Sequence, residues 1–176
     1  RRFSPRIKQF KTYLPSASLT YLFQDRQGQL YVRDQFDYRQ LVQSGNRRIK
    51  IPFRDNTSSI LYEQSKYLMQ DRQGFFWASV NSTQPIATTH QFVKFSENWQ
   101  RLKTYSMPSG TAFGRYGNQT REDKAGYIWI GAMNGKLLRF DPTTEIFTVF
   151  SYQHLLPRQA AEVETYSLYF DGSGTC

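Results

Sequence analysis

The sequence contains little cysteine and little histidine, and this narrows the chemistry open to the chain. Its one cysteine, Cys176, is the last residue, which excludes an internal disulfide framework and a cysteine-based zinc cluster. The two histidines, His90 and His154, stand alone, without the His-x-x-x-His or Glu-paired spacing of a metal site. We therefore expect no metal and no cofactor.

Long apolar runs are absent as well. No stretch approaches the ~18 to 20 apolar residues that a membrane-spanning helix needs. No signal peptide follows the charged N-terminus, so a targeting segment of an exported protein would lie outside this chain. Alanine is scarce, whereas 14 Phe, 12 Tyr and 3 Trp favour strands over long helices.

Acidic residues are in the minority, and the net charge is +9. Such a charge suits an anionic partner, such as nucleic acid, an acidic glycan or membrane headgroups. The basic residues are scattered, and no RNA-recognition, helix-turn-helix or zinc-finger signature accompanies them. We therefore expect no nucleic-acid partner and keep an acidic oligosaccharide as the candidate ligand. A basic surface without a specific partner is the alternative.

A short polar motif recurs along the chain. The letters QDRQG stand at 24–28 and again at 70–74, and looser copies follow at 118–131 and 166–176. Their shared core is Asp-x-x-Gly-x-apolar-aromatic, and the aspartates recur at intervals of 46, 52 and 48 residues. Asp at the first position and Gly at the last predict a hairpin turn. The predicted turn residues are Asp25, Gly28, Asp71, Gly74, Asp123, Gly126, Asp171 and Gly174.

The third copy shows the whole repeating unit. YIWIGA and KLLRF predict strands joined by a tight Asn134-Gly135 turn, and DPTTE separates KLLRF from the strand IFTVF. With the strand before the motif, this gives four short antiparallel strands in about fifty residues, which is typical of β-propeller blades. A β-sandwich would not explain matched turns at one period. The predicted fold class is therefore all-β, a β-propeller fragment of about three four-stranded antiparallel blades, with helix only in short loops such as 157–164.

The period also divides the chain. We expect one partial β-propeller domain over 1–176, with a blade tail at 1–14, blades at 18–53, 66–105 and 117–150, and the start of the next blade at 165–176. Propellers close with ~4 to 8 blades, and open sheet edges associate. The expected partners are therefore the remaining blades or other copies of the chain.

The third repeat, REDKAGYIWIGAMNGKLLRFDPTTEIFTVFS, resembles a two-component regulator propeller repeat. Ala132 replaces that family's Thr, and in the earlier repeats Arg33 and Ser79 stand where the family has Gly. The matching positions are Asp123, Gly126, Ile128, Trp129, Ile130, Gly131, Gly135, Leu138, Arg139, Phe140 and Asp141.

The resemblance implies a function. Such propellers usually form the periplasmic sensor part of membrane histidine kinases, often ones that control polysaccharide use, and others precede diguanylate cyclase or DNA-binding outputs. It therefore implies a ligand-sensing, non-catalytic segment of a bacterial two-component receptor. It places that segment in the periplasm or outside the cell, as part of an inner-membrane protein whose output module lies outside this chain.

The repeated residues themselves favour structural roles. Carboxylates that recur in matched turns are turn formers rather than catalytic or calcium-binding groups. Tyr31, Trp77 and Trp129 recur at blade spacing, and we expect them to pack between adjacent blades rather than to stack on sugars. No serine elbow, Cys/His pair or carboxylate dyad is present, so no catalytic residue is predicted.

Binding residues are expected on long loops. The connections at 53–66, 80–90, 106–117 and 151–165 are long and lie on the face opposite the Asp-x-x-Gly turns, here called the long-loop face. This face would recognise an oligosaccharide or a partner domain. Its candidate ligand-binding residues are Arg54, His90, Arg115, Tyr116, His154 and Arg158.

Two other functions remain open at this point. One is a propeller-fold lyase acting on a glycan or a cyclic peptide, and the other is a non-catalytic protein-interaction scaffold. A lyase needs a convergent set of His, Glu or Tyr side chains near the propeller axis, and the sequence offers two scattered histidines.

Overall fold

The computed structural model describes residues 19–34, 37–42, 45–49, 62–83, 88–113, 120–156 and 168–171. The chain divides into two compact units, Arg1–Lys50 and Ile51–Cys176. Within the described residues, the regular elements are strands and one short 3₁₀ helix. No helix in that part of the chain is long and apolar enough to cross a membrane.

The first unit contains one four-stranded antiparallel sheet, here called the first blade. Its strands follow one another in the order β1-β2-β3-β4, as hairpins do. Val32 and Tyr31 of the second strand are buried, and Tyr31 lies 5.8 Å from Phe23 between ring centroids. The strands are β1 Leu19–Gln24, β2 Leu30–Asp34, β3 Asp37–Val42 and β4 Gly45–Ile49.

The second unit contains two further sheets, and the first of them is the second blade, of order β5-β6-β7-β8. Its strands are β5 Tyr62–Gln70, β6 Phe76–Thr83, β7 Thr88–Phe95 and β8 Arg101–Ser106. The prediction of long loops at 53–66 and 80–90 is wrong in part. Residues 62–66, 80–83 and 88–90 belong to strands. The polar run after Ala78 contains β-branched threonine, and the ladder continues to the pair Thr83 and Thr88.

The third blade has the order β12-β11-β10-β9. The predicted Asn-Gly hairpin turn is confirmed, since Asn134 and Gly135 have φ of 59° and 62°, as a type I′ turn requires. The segment 157–164, predicted to hold short helix, lies outside the described residues. The elements are β9 Thr120–Glu122, β10 Ile128–Gly131, β11 Lys136–Asp141, β12 Ile146–Ser151 and the 3₁₀ helix Gln153–Leu155.

The predicted fold class is confirmed. The described residues form three four-stranded antiparallel sheets, each a simple up-and-down meander. Because neighbouring strands run in opposite directions, the turns after the first and third strands of a blade lie at the same end. Within each blade the Asp-x-x-Gly turn therefore shares an end with the turn before the outer strand, and we call this end of a blade its short-turn face.

The core of the second unit lies between its two blades. Trp77 is fully buried and stacks on Phe92 of its own blade, with ring centroids 5.0 Å apart. It also meets Phe140 of the third blade edge-on at 5.5 Å, so the predicted packing of Trp77 between blades is confirmed. The buried cluster consists of Met69, Trp77, Phe92, Phe113, Ile128, Ile130, Ala132, Leu138 and Phe140.

Trp129 occupies the matching place in the third blade but is only half-buried. It stacks on Phe150 of its own blade at 5.4 Å, and Phe170 of the fourth repeat lies 6.2 Å from it. Phe170 directly precedes Asp171, so it belongs to a different position of the repeat from Phe140, which contacts Trp77.

Gly135 is needed for space as well as for its positive φ. A Cβ at this position would lie 3.0 Å from Leu156 Cδ1 and 3.2 Å from the Gln153 backbone. The 3₁₀ helix therefore rests directly on the hairpin turn, and Tyr152 N–H donates to the Gly135 carbonyl over 2.9 Å.

Candidate ligand-binding cleft and the turns that form it

The Asp-x-x-Gly turns are built in the same way in all three blades. The Gly N–H donates to the Asp carbonyl at 3.0 to 3.1 Å, and the three glycines have φ between 80° and 93°. The Asp Oδ1 accepts the backbone N–H four residues later, at 2.7 to 3.0 Å. The carboxylate thus stabilises the turn by accepting backbone hydrogen bonds within it, which is why a short polar residue occupies this position.

The other carboxylate oxygen binds the repeated aromatic residue. Trp77 Nε1 donates to Asp71 Oδ2 over 2.7 Å, and Trp129 Nε1 makes the same bond to Asp123. In the first blade Tyr31 donates its hydroxyl to Asp25 over 3.0 Å. Burial raises the pKa of Tyr31 above its ordinary value, and the bond to Asp25 raises it further. The aspartate therefore fixes both the turn and the aromatic side chain six residues on.

This second role was missed by the sequence analysis, which treated the aspartate and the aromatic residue separately. The signal was present, because the spacing from aspartate to aromatic is six residues in each of these copies. The aromatic residue is Tyr or Trp and never Phe, so each carries a hydrogen-bond donor.

The residue before the aspartate differs between the blades, and the difference has a structural effect. Gln24 and Gln70 donate their side-chain amide to the Gly28 and Gly74 carbonyls within their own turns. The third blade has Glu122 instead, which has no N–H to donate. Glu122 accepts the Arg72 backbone N–H at 2.7 Å and pairs with Arg72 Nε at 2.8 Å.

Arg72 thereby joins the second blade to the third. Its guanidinium also donates to the Lys124 carbonyl at 2.8 Å and to the Asp123 carbonyl. Several directed bonds from one guanidinium fix the spacing of two turns better than a single ammonium would. Arg72 is half-exposed, so these bonds set geometry more than they add stability.

A second connection between the two blades lies at Glu145, a non-glycine residue with φ of 61°. Lys103 forms an ion pair with its carboxylate, and Tyr105 donates its hydroxyl over 2.9 Å. The hydrogen bond from Lys103 holds the pKa of Glu145 below its usual range. Burial raises the pKa of Tyr105 to about 12, with the hydrogen bond to Glu145 as the next cause.

These turns enclose a cleft on the short-turn face. Its volume is about 370 Å³, and it lies between the turn 71–73 of the second blade and the segments 122–127 and 141–143 of the third. Arg72 and Glu122 form part of its lining, so the same pair connects the blades and shapes the cleft. Tyr127 contributes an aromatic ring, and Arg139 lies 4.5 Å above that ring.

The candidate residues of the long-loop face can be followed only in part. His90 lies on strand β7 rather than in a loop, and its ring meets Phe113 edge-on at 5.7 Å. His154 is exposed on the 3₁₀ helix. The other four candidates, Arg54, Arg115, Tyr116 and Arg158, lie outside the described residues, as does Gly174. No group of three or more metal-binding side chains occurs in the part of the chain that the structure describes.

Comparison with known proteins finds solved structures of similar fold. No family model and no curated protein sequence matches the chain. Among solved structures, the chain is similar to the extracellular domain of BT3049 of B. thetaiotaomicron, described as a hybrid two-component system. The TM-score is 0.56 and the identity 16%, over 89% of this chain and 20% of that one.

A second similar structure is the extracellular domain of BT4673 of the same organism, described as a one-component system. Here the TM-score is 0.50 and the identity 16%, over 77% of this chain and 16% of that one. The chain thus spans a fifth or less of the length of the structures it matches. At this identity the similarity establishes the all-β fold that this chain shares with these two extracellular domains.

Proposed function

We propose that this chain is the ligand-sensing portion of a bacterial signal-transduction receptor of the two-component sensor type. The observation that supports the proposal is the fold similarity to the extracellular domain of BT3049, which extends over 89% of the chain. The resemblance of the third repeat to two-component regulator propeller repeats points in the same direction.

The proposal includes a cellular location and a domain architecture. The segment lies in the periplasm or outside the cell, and the parent protein is anchored in the inner membrane. Residues 1–176 form a partial β-propeller domain in which 165–176 begins a further blade, and the remaining blades or other copies of the chain complete it. The output module, a histidine kinase or a diguanylate cyclase, lies outside this segment.

We also propose that the segment itself is not catalytic. The carboxylates of its described Asp-x-x-Gly turns accept backbone N–H groups, and each also accepts the indole N–H or phenol O–H of its aromatic partner. A carboxylate held in this way is a poor general acid or base, because its lone pairs are already in use.

The reading frame of the full gene tests the sensor proposal. We expect a membrane-spanning helix followed by a kinase, cyclase or DNA-binding domain. A reading frame that encodes a polysaccharide lyase or that ends without an output domain would contradict the proposal. A reporter gene controlled by the receptor should respond to an oligosaccharide, and the response should disappear when 1–176 is deleted.

We propose further that the long-loop face recognises an acidic oligosaccharide through Arg54, Arg115 and Arg158, beside Tyr116. The support is the net charge of +9 and the bidentate fit of a guanidinium to carboxylate or sulfate. Calorimetry with acidic and neutral oligosaccharides at two salt concentrations tests it. Binding that ignores ligand charge, or that survives Arg115→Ala combined with Arg158→Ala, would rule it out.

A further inference from the structure

Some side chains that line the cleft between the second and third blades can still contact a ligand. The Asp71 carboxylate is buried and holds its own turn and Trp77, and Arg72 and Glu122 neutralise each other. The remaining lining groups are the exposed side chains of Gln73 and Thr143, the Asp141 carboxylate, whose Oδ1 also accepts N–H groups of its own turn, and the Tyr127 ring, over which Arg139 lies.

The charge of the cleft differs from that of the chain. The chain has a net charge of +9, yet the cleft is lined by three carboxylates and one guanidinium. Arg72, the one cation among the described lining residues, pairs with Glu122, and Arg139 outside the lining acts on Asp141. Backbone N–H groups of Thr143 and Thr144 point at its carboxylate, and they hold its pKa below the usual range. An anionic ligand would be repelled here, and a cation would find only one carboxylate, already capped by the turn.

Shape and surface also limit the ligand. A cavity of about 370 Å³ is at the small end of the range of ~300 to 1,000 Å³ found for small-molecule sites. Tyr127 is half-buried, so its ring is held in place, and Pro142 adds a second rigid apolar surface. Around this surface, Gln73 supplies both a donor and an acceptor. Asp141 still has acceptor capacity, because a carboxylate has about four acceptor positions.

We propose that this cleft is a second ligand site, distinct from the long-loop face, and that it binds an uncharged, hydroxyl-rich molecule of about monosaccharide size. Tyr127 packs against the apolar face of the ligand's ring. Asp141 accepts hydrogen bonds from ligand hydroxyls, and Gln73 and Thr143 bind further hydroxyls. The site does not require that the chain be a sensor, since it follows from the cleft alone.

Saturation-transfer NMR on the full chain tests the site directly. Methyl glycosides of glucose, galactose and mannose serve as neutral probes, and glucuronate serves as the anionic counterpart of glucose. We expect at least one neutral probe to bind with a dissociation constant on the order of 1 mM. Glucuronate is tested on the chain carrying Arg115→Ala and Arg158→Ala, so that binding at the long-loop face does not contribute, and there it should bind about tenfold more weakly than the neutral probe or not at all. The absence of saturable binding by every neutral probe, or equal binding of glucuronate, would overturn the proposal.

Three variants locate the binding. Tyr127→Gln introduces the residue that the first blade has at this position, Gln29, and should weaken binding of the neutral probe about tenfold. Asp141→Asn keeps the Oδ1 that accepts the Thr143 N–H and should weaken it several-fold. Glu97→Gln removes a carboxylate from the corresponding exposed turn of the second blade and should change nothing.

Folding of each variant is checked by tryptophan fluorescence. If Tyr127→Gln does not fold, Asp141→Asn decides, because it alters an exposed turn and retains the capping oxygen. Unchanged binding in Asp141→Asn would then overturn the site. Failure of this site is distinguishable from failure of the long-loop proposal, since that proposal concerns acidic ligands and the Arg115 and Arg158 side chains.

Discussion

Trp77 in the second blade and Trp129 in the third are held by the same bond but buried to different extents. Each donates its indole N–H over 2.7 Å to the aspartate six residues earlier. Trp77 is fully buried because Phe140 of the next blade covers it, whereas Trp129 is half-buried beside Phe150 and Phe170. The hydrogen bond between aspartate and tryptophan thus forms within a single repeat. The burial of the tryptophan depends on the side chains that pack against it from the neighbouring repeat.

The comparison of the two tryptophans explains why the sequence of the polar motif is so similar from blade to blade. A core position can change its side chain when its neighbour changes with it, so blades can diverge in their packing. The aspartate has four tasks at once: it begins the turn, accepts the N–H groups two and four residues later, and accepts the indole. No other short side chain supplies two acceptors at this distance without also placing a donor there.

The largest expected effect is at Trp77. Trp77→Ala should lower the free energy of unfolding of the second unit by about 3 to 5 kcal/mol, as for a large buried aromatic residue. Trp129→Ala should cost less, about 1 to 3 kcal/mol, because Trp129 is only partly buried. All three tryptophans lie in the second unit, so urea denaturation followed by the remaining indole fluorescence measures this unit. Equal losses at the two sites would contradict the comparison.

Removal of the aspartate should have the next largest effect. Asp71→Ala leaves the Trp77 indole and two backbone N–H groups without acceptors, and should cost about 1 to 3 kcal/mol. Asp123→Ala should cost less, because water can reach its half-buried partners. Thermal melting of both variants alongside the native chain measures the difference. An Asp123 variant that is the less stable of the two would mean that burial does not set the cost.

The connection through Arg72 should contribute less. Arg72→Ala or Glu122→Gln should lower stability by about 0.5 to 1 kcal/mol, since the pair is partly exposed. The loss should shrink at high salt, where the native pair is screened. Glu97→Gln is the matched control and should have no effect in either salt. An effect of Glu122→Gln that is independent of salt would indicate that the carboxylate acts through packing rather than charge.

The smallest expected effects depend on pH. The pKa of Tyr105 is raised to about 12, so its stabilisation should be complete below pH 10 and lost as pH rises through about 12. The pKa of Glu145 is lowered, so its contribution should be lost as pH falls below the ordinary glutamate range. Ultraviolet titration should show one late-ionising tyrosine fewer in Tyr105→Phe, with the late ionisation of Tyr31 retained. In Glu145→Gln, Tyr105 should ionise earlier than in the native chain, and no change would mean that burial alone sets its pKa.

Much of the fold was predictable because each local sequence signal recurs in several repeats. One Asp-x-x-Gly turn is weak evidence, but several at one spacing predict the four-stranded meander, and Asn134-Gly135 marks its central hairpin. The strand ends at Thr83 and Thr88 were not predictable in the same way. These residues are paired in the backbone ladder, which hydrophobic patterning does not register.

The cleft was not predictable, because it depends on distances between repeats. Arg72 and Glu122 are 50 residues apart, and their pairing follows from how two blades pack. The sequence did carry one indication, namely the change from Gln70 to Glu122 at the same place in the repeat. Its meaning depends on a facing arginine, which a single repeat does not show.

The most direct test of the account is a double-mutant cycle between Asp71 and Trp77. Asp71→Asn keeps one acceptor for the turn but turns an N–H toward the indole, and Trp77→Phe removes the indole donor. If the carboxylate holds the aromatic residue, Asp71→Asn should cost about 1.5 to 3 kcal/mol less in the Trp77→Phe background than in the native chain. If the two effects instead add to within about 0.5 kcal/mol, the bond between turn and tryptophan is not what maintains the motif.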